Sequence, residues 1–535
     1  MSQTFVEESR SLIKKFLQTA VIIDDRISHT ASPVPTVGLV RATRMAKKKV
    51  MEVVRSPRDE QHVETGMLVE SFAEAGIICG ALQFRETGDI DDKFIKTANA
   101  ADITIIDWEL EECKTGDKAL NLISRLLEED LKNPQRLRLI NIYTGSNALS
   151  EISEKIMQHV LTQHSVQLEA SNANLKLIYK SILILICAKY PDGLIEEHQQ
   201  FAVNETELPE KLICEFTNSF CGILSNVAIS SLTAIRESTH KLLVRFDRKY
   251  DEAYLTHRAS LPKPSDSEDQ LESLVGEEIK SILTSYNCVG HNASFSMVQK
   301  WFDYRYDMDH TFSCPDRNPG RDITLTRQQM LKCLEIGSEE AKFPTKKGSK
   351  HLYLSFSRLL LADKGRAEKS NMDFARLSVS KRRYEKKAPY LTMGTILQKN
   401  KDQTLWLCVQ PKCDSVRLQD PTRFPLLPMH LGANKEDDTF PSFNKETDEL
   451  MHVVIHPREC RNITFKSALV DKSRILPMVV KEKWVFCTTE SSRFTFVTEL
   501  KDEIAQNIMN IFAEKVSRVG INPSEWLRLK GKNNV

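Results

Sequence analysis

The stretch ITIIDWE at residues 103–109 decides the fold, because a short run typical of a buried strand ends directly on an acidic residue, Asp107. Its β-branched residues favour a strand that is covered on both faces of a sheet. Three other stretches also end a strand-like run on a polar residue, which is acidic only in the first of them: IIDD at residues 22–25, INIYTG at 140–145 and ILICAKYP at 184–191. Segments with a helical spacing of apolar residues separate them. The pattern predicts a doubly wound α/β domain with five parallel strands.

The predicted parallel strands all fall in the first two hundred residues. We expect them at residues 19–23, 77–84, 103–106, 137–143 and 182–187. Residues 27–60 are polar and contain prolines, which predicts a long loop with some helix after the first strand. A second insertion near residues 164–179 predicts a hairpin or a helix.

Polar residues follow the strands at the edge where their carboxyl ends meet, and ligands bind at this edge in open parallel sheets. These residues are Asp24, Asp25, Asp107, Thr144 and Lys189. A carboxylate that accepts a phosphoryl group approaches a highly charged donor, and three acids at one point repel that donor. Mg²⁺ offsets the charge and prefers carboxylate oxygens. The residue types therefore predict a magnesium-dependent phosphoacceptor site.

Each of these residues has a predicted role in that site. The predicted Mg²⁺ ligands are Asp25 and Asp107 directly, Asp24 directly or through water, and Glu109 through its backbone carbonyl. Asp107 is the predicted acceptor. Thr144 can donate a hydroxyl hydrogen bond to a phosphoryl oxygen. Lys189 supplies a positive charge that pairs with Asp107 and then with the phosphoryl group.

The four stretches, in this order and with helices between them, resemble the receiver domains of bacterial two-component systems. The resemblance covers about residues 18–200 and implies a sensor histidine kinase as partner. Two features depart from the pattern of that family. Tyr190 stands between Lys189 and Pro191, where the proline usually follows the lysine directly. Ile186 occupies the position of the family's switch aromatic, which puts the usual relay to an output surface in doubt.

The whole layout resembles the response receiver proteins of bacterial defence operons. The resemblance rests on the variant receiver, the helical middle of the chain and the β segment that begins PYLTMGTIL at residue 389. In this layout the chain resembles the phosphate-buffer component of the Detocs anti-phage two-component system. The resemblance implies that the chain takes phosphate from the kinase and acts as a phosphate buffer or sink, beside a second receiver-effector protein of the same operon.

We predict three domains: the receiver with its insertions at residues 1–200, a mostly helical region at 201–385, and a β-rich domain with a terminal helix at 386–535. The apolar stripe after Leu208 predicts either a dimer interface or packing on the receiver. The β-rich part predicts a small barrel or a sandwich. Its expected strands lie at residues 391–397, 404–410, 415–418, 451–456, 475–480 and 484–488, and its terminal helix at 500–519.

The bulk composition excludes some partners. Lysine and arginine total 74 against 73 acidic residues, so no overall charge attracts nucleic acid or an anionic membrane. No apolar run is long enough for a signal sequence or a membrane span. Twelve scattered cysteines without a paired CxxC motif favour reduced thiols in a cytoplasmic protein.

Other functions stay open. The C-terminal half could be an enzymatic or nucleic-acid-binding effector under the control of the receiver. Glu109, two residues after Asp107, also fits a magnesium-dependent hydrolase with an aspartyl intermediate, although such a nucleophile usually follows the first strand. Residues 306–316 group acids with His310 and Cys314, which could together form a metal site. A polar loop is the simpler interpretation. Cys408 and Cys413 lack a second pair to complete a zinc site.

Overall fold

The computed structural model divides the chain into two compact units, Met1–Met308 and Asp309–Val535. It describes residues 4–25, 27, 57–84, 90–110, 115–132, 137–315, 322–338, 340–341, 356–382, 387–418, 421–431, 453–455, 459–468 and 473–517. Most of the loop that we predicted at 27–60 lies outside these residues. Our three-part division of the chain at residues 200 and 385 stays a prediction.

The first unit is built on one twisted sheet, which has seven strands among the described residues. They are β1 (Thr19–Asp24), β2 (Ile78–Gln83), β3 (Ile103–Ile106), β4 (Arg138–Thr144), β5 (Glu169–Ser171), β6 (Lys176–Tyr179) and β7 (Ile182–Ala188). The spatial order is β2-β1-β3-β4-β7-β6-β5. The first five strands in this order pair in parallel, as the sequence predicted.

The count of five strands for the whole sheet is wrong, because β5 and β6 form a hairpin that pairs antiparallel with β7. Asn172, Ala173 and Asn174 turn the hairpin with positive φ angles of 49°, 55° and 61°. Asparagine adopts this conformation more readily than most residues. The insertion near residues 164–179 therefore extends the sheet beyond the five parallel strands.

Helices cover both faces of this sheet and continue after it. They are α1 (Phe5–Phe16), α2 (Pro57–Glu74), α3 (Ile90–Ala98), α4 (Asp117–Lys132), α5 (Leu149–His164), α6 (Leu208–Phe220), α7 (Ile223–Glu237), α8 (Thr239–Arg245), α9 (Asp251–Ser260), α10 (Asp266–Ser285), α11 (Cys288–Ala293) and α12 (Phe295–Arg305), with 3₁₀ helices at Glu196–Phe201 and Arg248–Tyr250. None of the helices in the described part of the chain is both long and apolar enough to span a bilayer.

Helices α6 and α7 share the hydrophobic core of the sheet. Leu208, Leu212 and Phe216 of α6 are almost fully buried in the cluster that also contains the strands. A buried ion pair reinforces the contact, because Lys176 Nζ of β6 lies 3.1 Å from Glu215 Oε2 of α6. The apolar stripe after Leu208 therefore packs on the sheet, which is one of the two outcomes that the sequence allowed.

The described part of the second unit contains a hairpin, three helices and a β domain with a terminal helix. Its described elements are β8 (Thr311–Pro315), β9 (Asp322–Thr326), α13 (Arg327–Ile336), α14 (Phe356–Leu361), α15 (Lys364–Val379), β10 (Thr395–Lys399), β11 (Leu405–Cys408), a 3₁₀ helix (Lys412–Ser415), β12 (Thr422–Leu431), β13 (Val453–Ile455), β14 (Arg461–Lys466), β15 (Met478–Val480), β16 (Lys483–Thr488), β17 (Arg493–Glu499) and α16 (Asp502–Ser517). The polar loop that we predicted at 306–316 contains β8, and its last residue lies outside the described part.

The β domain is a closed antiparallel barrel, which decides between the two architectures that the sequence left open. Its path runs β11-β10-β17-β16-β14-β12, and pairing of β11 with β12 closes it. Closure removes the exposed strand edges of a sandwich. Edge contacts of Phe465 with Phe424 and Phe494, at 6.2 and 5.5 Å between ring centroids, fill the interior.

The strand predictions for the barrel are wrong in two respects. No strand forms at 415–418, where the 3₁₀ helix that follows Pro411, whose φ of −52° suits a turn, ends at Ser415. The sequence also missed β12, β14 and β17, and in β12 Pro425 and Pro428 argue against a strand. In the barrel the carbonyl of Pro425 still accepts a hydrogen bond from Val409 N at 3.1 Å, so the strand tolerates the proline.

The two cysteines considered for a metal site have different environments. Cys408 is buried in the barrel core, whereas Cys413 is exposed and its Sγ lies 3.4 Å from Asp414 Oδ1. Burial raises the pKa of the Cys408 thiol to about 12, which keeps it protonated. This arrangement fits the interpretation of a core residue beside a turn.

Candidate functional site

The candidate site lies at the carboxyl edge of the parallel sheet. Asp24 is the last residue of β1, while Asp107 and Lys189 directly follow β3 and β7. The backbone continues the sheet here, since Asp107 N donates to Ile23 O at 3.0 Å. Because these strands are parallel, their polar terminal residues meet at one edge.

Three carboxylates form the acidic part of the site. One oxygen from each of Asp24, Asp25 and Asp107 lies within 4.8 Å of the others. Asp25 is exposed, Asp24 is half-buried, and Asp107 is only 3% exposed. The acidic group therefore extends from the buried Asp107 to the exposed Asp25.

Lys189 neutralises part of this charge. Its Nζ donates to Asp107 Oδ2 at 2.9 Å and to Asp24 Oδ2 at 3.0 Å, and its side chain is buried. Burial alone lowers the pKa of Lys189, but the charges of Asp107 and Asp24 outweigh burial and raise that pKa above its ordinary value. The ammonium is therefore charged at all physiological pH values.

Asp107 is held in one orientation by both of its oxygens. Oδ2 accepts from Lys189, and Oδ1 accepts from Glu109 N at 3.2 Å. Burial raises the pKa of Asp107, while Lys189 opposes the shift. The side chain of Glu109 is half-buried, and the predicted role of its carbonyl as a Mg²⁺ ligand stays a prediction.

Thr144 ends β4, which lies between β3 and β7. Its side chain is fully buried, its Oγ1 accepts from Ser146 N at 3.0 Å, and its carbonyl accepts from Lys189 N at 2.8 Å. Since Oγ1 acts here as an acceptor, the hydroxyl hydrogen is available as a donor. The sheet therefore places Thr144 between the strands that carry Asp107 and Lys189.

The donor set fits a hard divalent cation. All three side chains of the acidic group offer carboxylate oxygens, which Mg²⁺ prefers over nitrogen or sulfur. Lys189 supplies positive charge to two of them, Asp24 and Asp107. A divalent cation would add further positive charge beside the three carboxylates.

Residues 16–192 match the family model described as the response receiver domain. The chain carries a receiver domain. This match and the strand order establish the coarse identification made from the sequence, that of a two-component receiver. No curated protein and no solved structure matches the chain. The matched residues end before α6, so the match describes the sheet and its site rather than the second unit.

Sequence reasoning missed two residues on the site's face of β4. Tyr143 is 3% exposed and Asn141 is fully buried. Both belong to the stretch INIYT, where they alternate with isoleucine and threonine. The sequence did contain a signal for these two residues. Polar side chains recur at every second position of a strand that is buried on both faces, which places them on one face of the sheet.

Mg²⁺ is expected to raise the thermal midpoint of the receiver domain. A cation that binds only the folded chain adds about 2.7 kcal/mol of stability at one hundred times its dissociation constant. The Asp25→Asn variant removes one carboxylate of the acidic group, so we expect at least half of this stabilisation to vanish. Thermal melts over a Mg²⁺ series measure the effect.

The control for this prediction is Asp192→Asn, which changes an exposed acid in the loop after β7 that is not part of the acidic group. The control variant should respond to Mg²⁺ as the wild type does. Equal Mg²⁺ stabilisation of Asp25→Asn and wild type would contradict the assignment of Asp25 as a ligand.

Replacing Asn141 by leucine is expected to stabilise the protein. Neither Nδ2 nor Oδ1 of this fully buried side chain has a hydrogen-bond partner in the structure. Removing an unpaired buried amide and filling the space with an apolar group of similar shape should add about 1–2 kcal/mol to the free energy of unfolding. Chemical denaturation measures the change.

Asn226→Leu is the matched control, because Asn226 is equally buried and only its Oδ1 lacks a partner, whereas its Nδ2 donates to Ser9 Oγ at 2.8 Å. That variant should lose about 1 kcal/mol or more instead. A destabilised Asn141→Leu variant would contradict this prediction, because it would show that the Asn141 amide has a hydrogen-bond partner in solution.

Proposed function

We propose that this protein accepts a phosphoryl group from the phosphohistidine of a sensor kinase onto Asp107 and acts as a phosphate buffer or sink. The observation that carries the proposal is the buried Asp107 carboxylate, which is held by Lys189 and opens onto an acidic group within a receiver domain. The roles predicted for Asp24, Asp25, Glu109 and Thr144 form part of this proposal.

In the proposed transfer, an oxygen of Asp107 forms a bond to phosphorus while the bond between phosphorus and the donor's imidazole nitrogen breaks. The imidazole leaves with the electron pair, and the product is an aspartyl phosphate. Lys189 then pairs with a phosphoryl oxygen, and the Thr144 hydroxyl donates to another. Later attack by water on phosphorus returns the Asp107 carboxylate and inorganic phosphate.

Asp24, Asp25, Asp107 and the Glu109 carbonyl are the residues that would hold Mg²⁺. When bound, this ion supplies charge neutralisation for the carboxylates and the phosphoryl oxygens. The protein's own contribution is to orient Asp107 through Lys189 and Glu109 N, both within 3.2 Å of its oxygens. Preorganised groups of this kind stabilise the charge that develops during transfer.

The buffer role rests on the residue at the family's switch position. Ile186 is fully buried in β7, and its side chain has no polar group that could respond to a movement of Thr144. A receiver without that relay can store phosphate without a strong output. Together with the resemblance to the Detocs component, this favours a cytoplasmic phosphate store in anti-phage defence, which diverts phosphate from a second receiver-effector of the same operon.

A competition experiment tests the buffer role. The phosphorylated kinase encoded beside this protein is mixed with the second receiver, with and without this chain. We expect wild type to take up phosphate and to lower the phosphorylation of the second receiver in proportion to its concentration. Undiminished phosphorylation of the second receiver, with no phosphate on this chain, would contradict the proposal.

The runner-up is a response regulator whose C-terminal part is an effector. It is favoured by the second unit, where a closed barrel and several helices lie outside the residues that match the receiver family. Expressing residues 309–535 alone and assaying growth inhibition and nuclease activity tests this alternative. A well-folded but inert fragment counts against it.

A further inference from the structure

Tyr143 is a buried residue that lies on the same face of the sheet as the phosphoacceptor. In-register residues of neighbouring parallel strands point to the same face. The last pair of β3 and β4 is Ile106 with Ile142, so Asp107 and Tyr143 are the residues that directly follow this pair. In β7 its partner is Cys187, two residues before Lys189. The strand that carries Tyr143 therefore lies between the strand that leads to Asp107 and the strand that leads to Lys189.

The ring of Tyr143 contacts the ammonium of Lys189. Nζ lies 5.5 Å from the ring centroid, and both side chains are less than a tenth exposed. The attraction between a cation and an aromatic face is strongest where water is excluded. The ring thus forms one wall of the position that Lys189 occupies beside Asp107.

The hydroxyl of Tyr143 connects the ring to a later segment of the chain. It donates to Val203 O at 2.8 Å, and Val203 N in turn donates to Ala188 O at 3.0 Å. Ala188 also forms a parallel bridge with Ala202. Since Ala188 immediately precedes Lys189, the ring and the backbone connect the site's lysine to residues 201–203 by two routes.

This segment leads directly into α6. Phe201 is fully buried, and Leu208 begins the helix that shares the core of the sheet. A shift of Lys189 toward a phosphoryl group would change the position of its ammonium over the Tyr143 ring. The Tyr143 hydroxyl would transmit that change to the Val203 carbonyl.

We propose that Tyr143 is a positioning residue of the phosphoacceptor site, which holds the Lys189 ammonium beside Asp107 and couples its position to residues 201–203. This inference rests on the proposed function, since it concerns how the same site works. It supplies a route from the site to α6 that does not use the switch position occupied by Ile186.

Two substitutions separate the ring from the hydroxyl. Tyr143→Phe keeps the aromatic wall and removes the bond to Val203, whereas Tyr143→Leu removes both. The matched controls are Tyr179→Phe and Tyr179→Leu, because the Tyr179 ring of β6 also contacts a lysine, Lys180, at 4.8 Å. The measurements are the labelling rate at increasing phosphoramidate with Mg²⁺, and amide exchange of residues 201–208 with and without beryllium fluoride and Mg²⁺.

We expect Tyr143→Leu to lower the saturating labelling rate about tenfold, because the variant loses a desolvated cation–π contact. The phosphoramidate concentration that gives half of the maximal rate should change little. Tyr143→Phe should label within about twofold of wild type. Its Val203 amide should exchange about three- to tenfold faster, as loss of one hydrogen bond predicts. Beryllium fluoride should change exchange at residues 201–203 in wild type but not in Tyr143→Phe.

Several outcomes overturn the inference while leaving the proposed function intact. One is wild-type labelling by Tyr143→Leu, and another is an equal response to beryllium fluoride in wild type and Tyr143→Phe. A similar loss in the Tyr179 variants would show a general effect of the substitution. If Tyr143→Leu does not fold, Tyr143→Phe decides through amide exchange. Failure of wild type to label at all overturns the proposed function itself.

Discussion

Replacing Asp107 by asparagine is expected to abolish the phosphoryl adduct that the wild-type chain forms with phosphoramidate and Mg²⁺. In wild type, Lys189 Nζ lies 2.9 Å from Asp107 Oδ2, and asparagine keeps an oxygen that can accept this hydrogen bond. The neutral amide of asparagine, however, is not a nucleophile. We expect labelling to fall by a factor of about a hundred or more, to background. Intact-mass spectrometry and peptide mapping measure the adduct and locate it.

The control for this experiment is Asp92→Asn, an exposed aspartate of α3 that pairs with Arg125. It should label at the wild-type rate. Thermal melts of both variants establish that they fold. An adduct of undiminished amount on the Asp107→Asn chain would mean that another residue is the acceptor, and the proposed function would then fail.

Replacing Lys189 by methionine is expected to affect both labelling and stability. The variant leaves the buried Asp107 carboxylate without its cation, and breaking a buried ion pair on one side typically costs about 3–5 kcal/mol. We expect a loss of this size near pH 7, together with severe loss of phosphoryl labelling. Chemical denaturation and mass spectrometry measure the two effects.

The stability loss should depend on pH in one direction. Burial raises the pKa of Asp107, and without Lys189 nothing of that strength opposes the shift. A carboxyl whose pKa is higher in the folded chain than in the unfolded chain loses stability as pH rises through the folded pKa. The deficit of the variant should therefore be greatest at neutral pH and shrink as pH falls toward about 4.

Lys176→Met is the matched control, because Lys176 is a buried lysine of the same sheet that pairs with Glu215 at 3.1 Å, away from the site. That variant should also lose stability but should keep its labelling rate. Mg²⁺ should partly restore the stability of the Lys189→Met variant. It should stabilise the Lys176→Met variant by the same amount as it stabilises wild type. A Lys189→Met chain that labels like wild type would exclude a role for this lysine in transfer.

Much of the receiver domain could be predicted because its strands carry their own signal. The run ITII before Asp107 is too short and too β-branched for a helix, and the polar residues at strand ends marked the edge of the site. The β5–β6 hairpin carried a weaker signal, since its strands are only three and four residues long, β5 is exposed, and only the turn residues near Asn172 indicate it. In the barrel, β12 was missed because its prolines contradict the usual strand pattern.

The sequence by itself determined the parallel strands and the identity of the candidate site residues, because strand direction alone brings Asp24, Asp107 and Lys189 to one edge. The residue types also predicted that Lys189 pairs with Asp107. Only the tertiary structure decided that the same ammonium also bonds Asp24, and that Tyr143 borders that lysine. Those contacts depend on side-chain packing between residues far apart in the chain, which a local pattern does not encode.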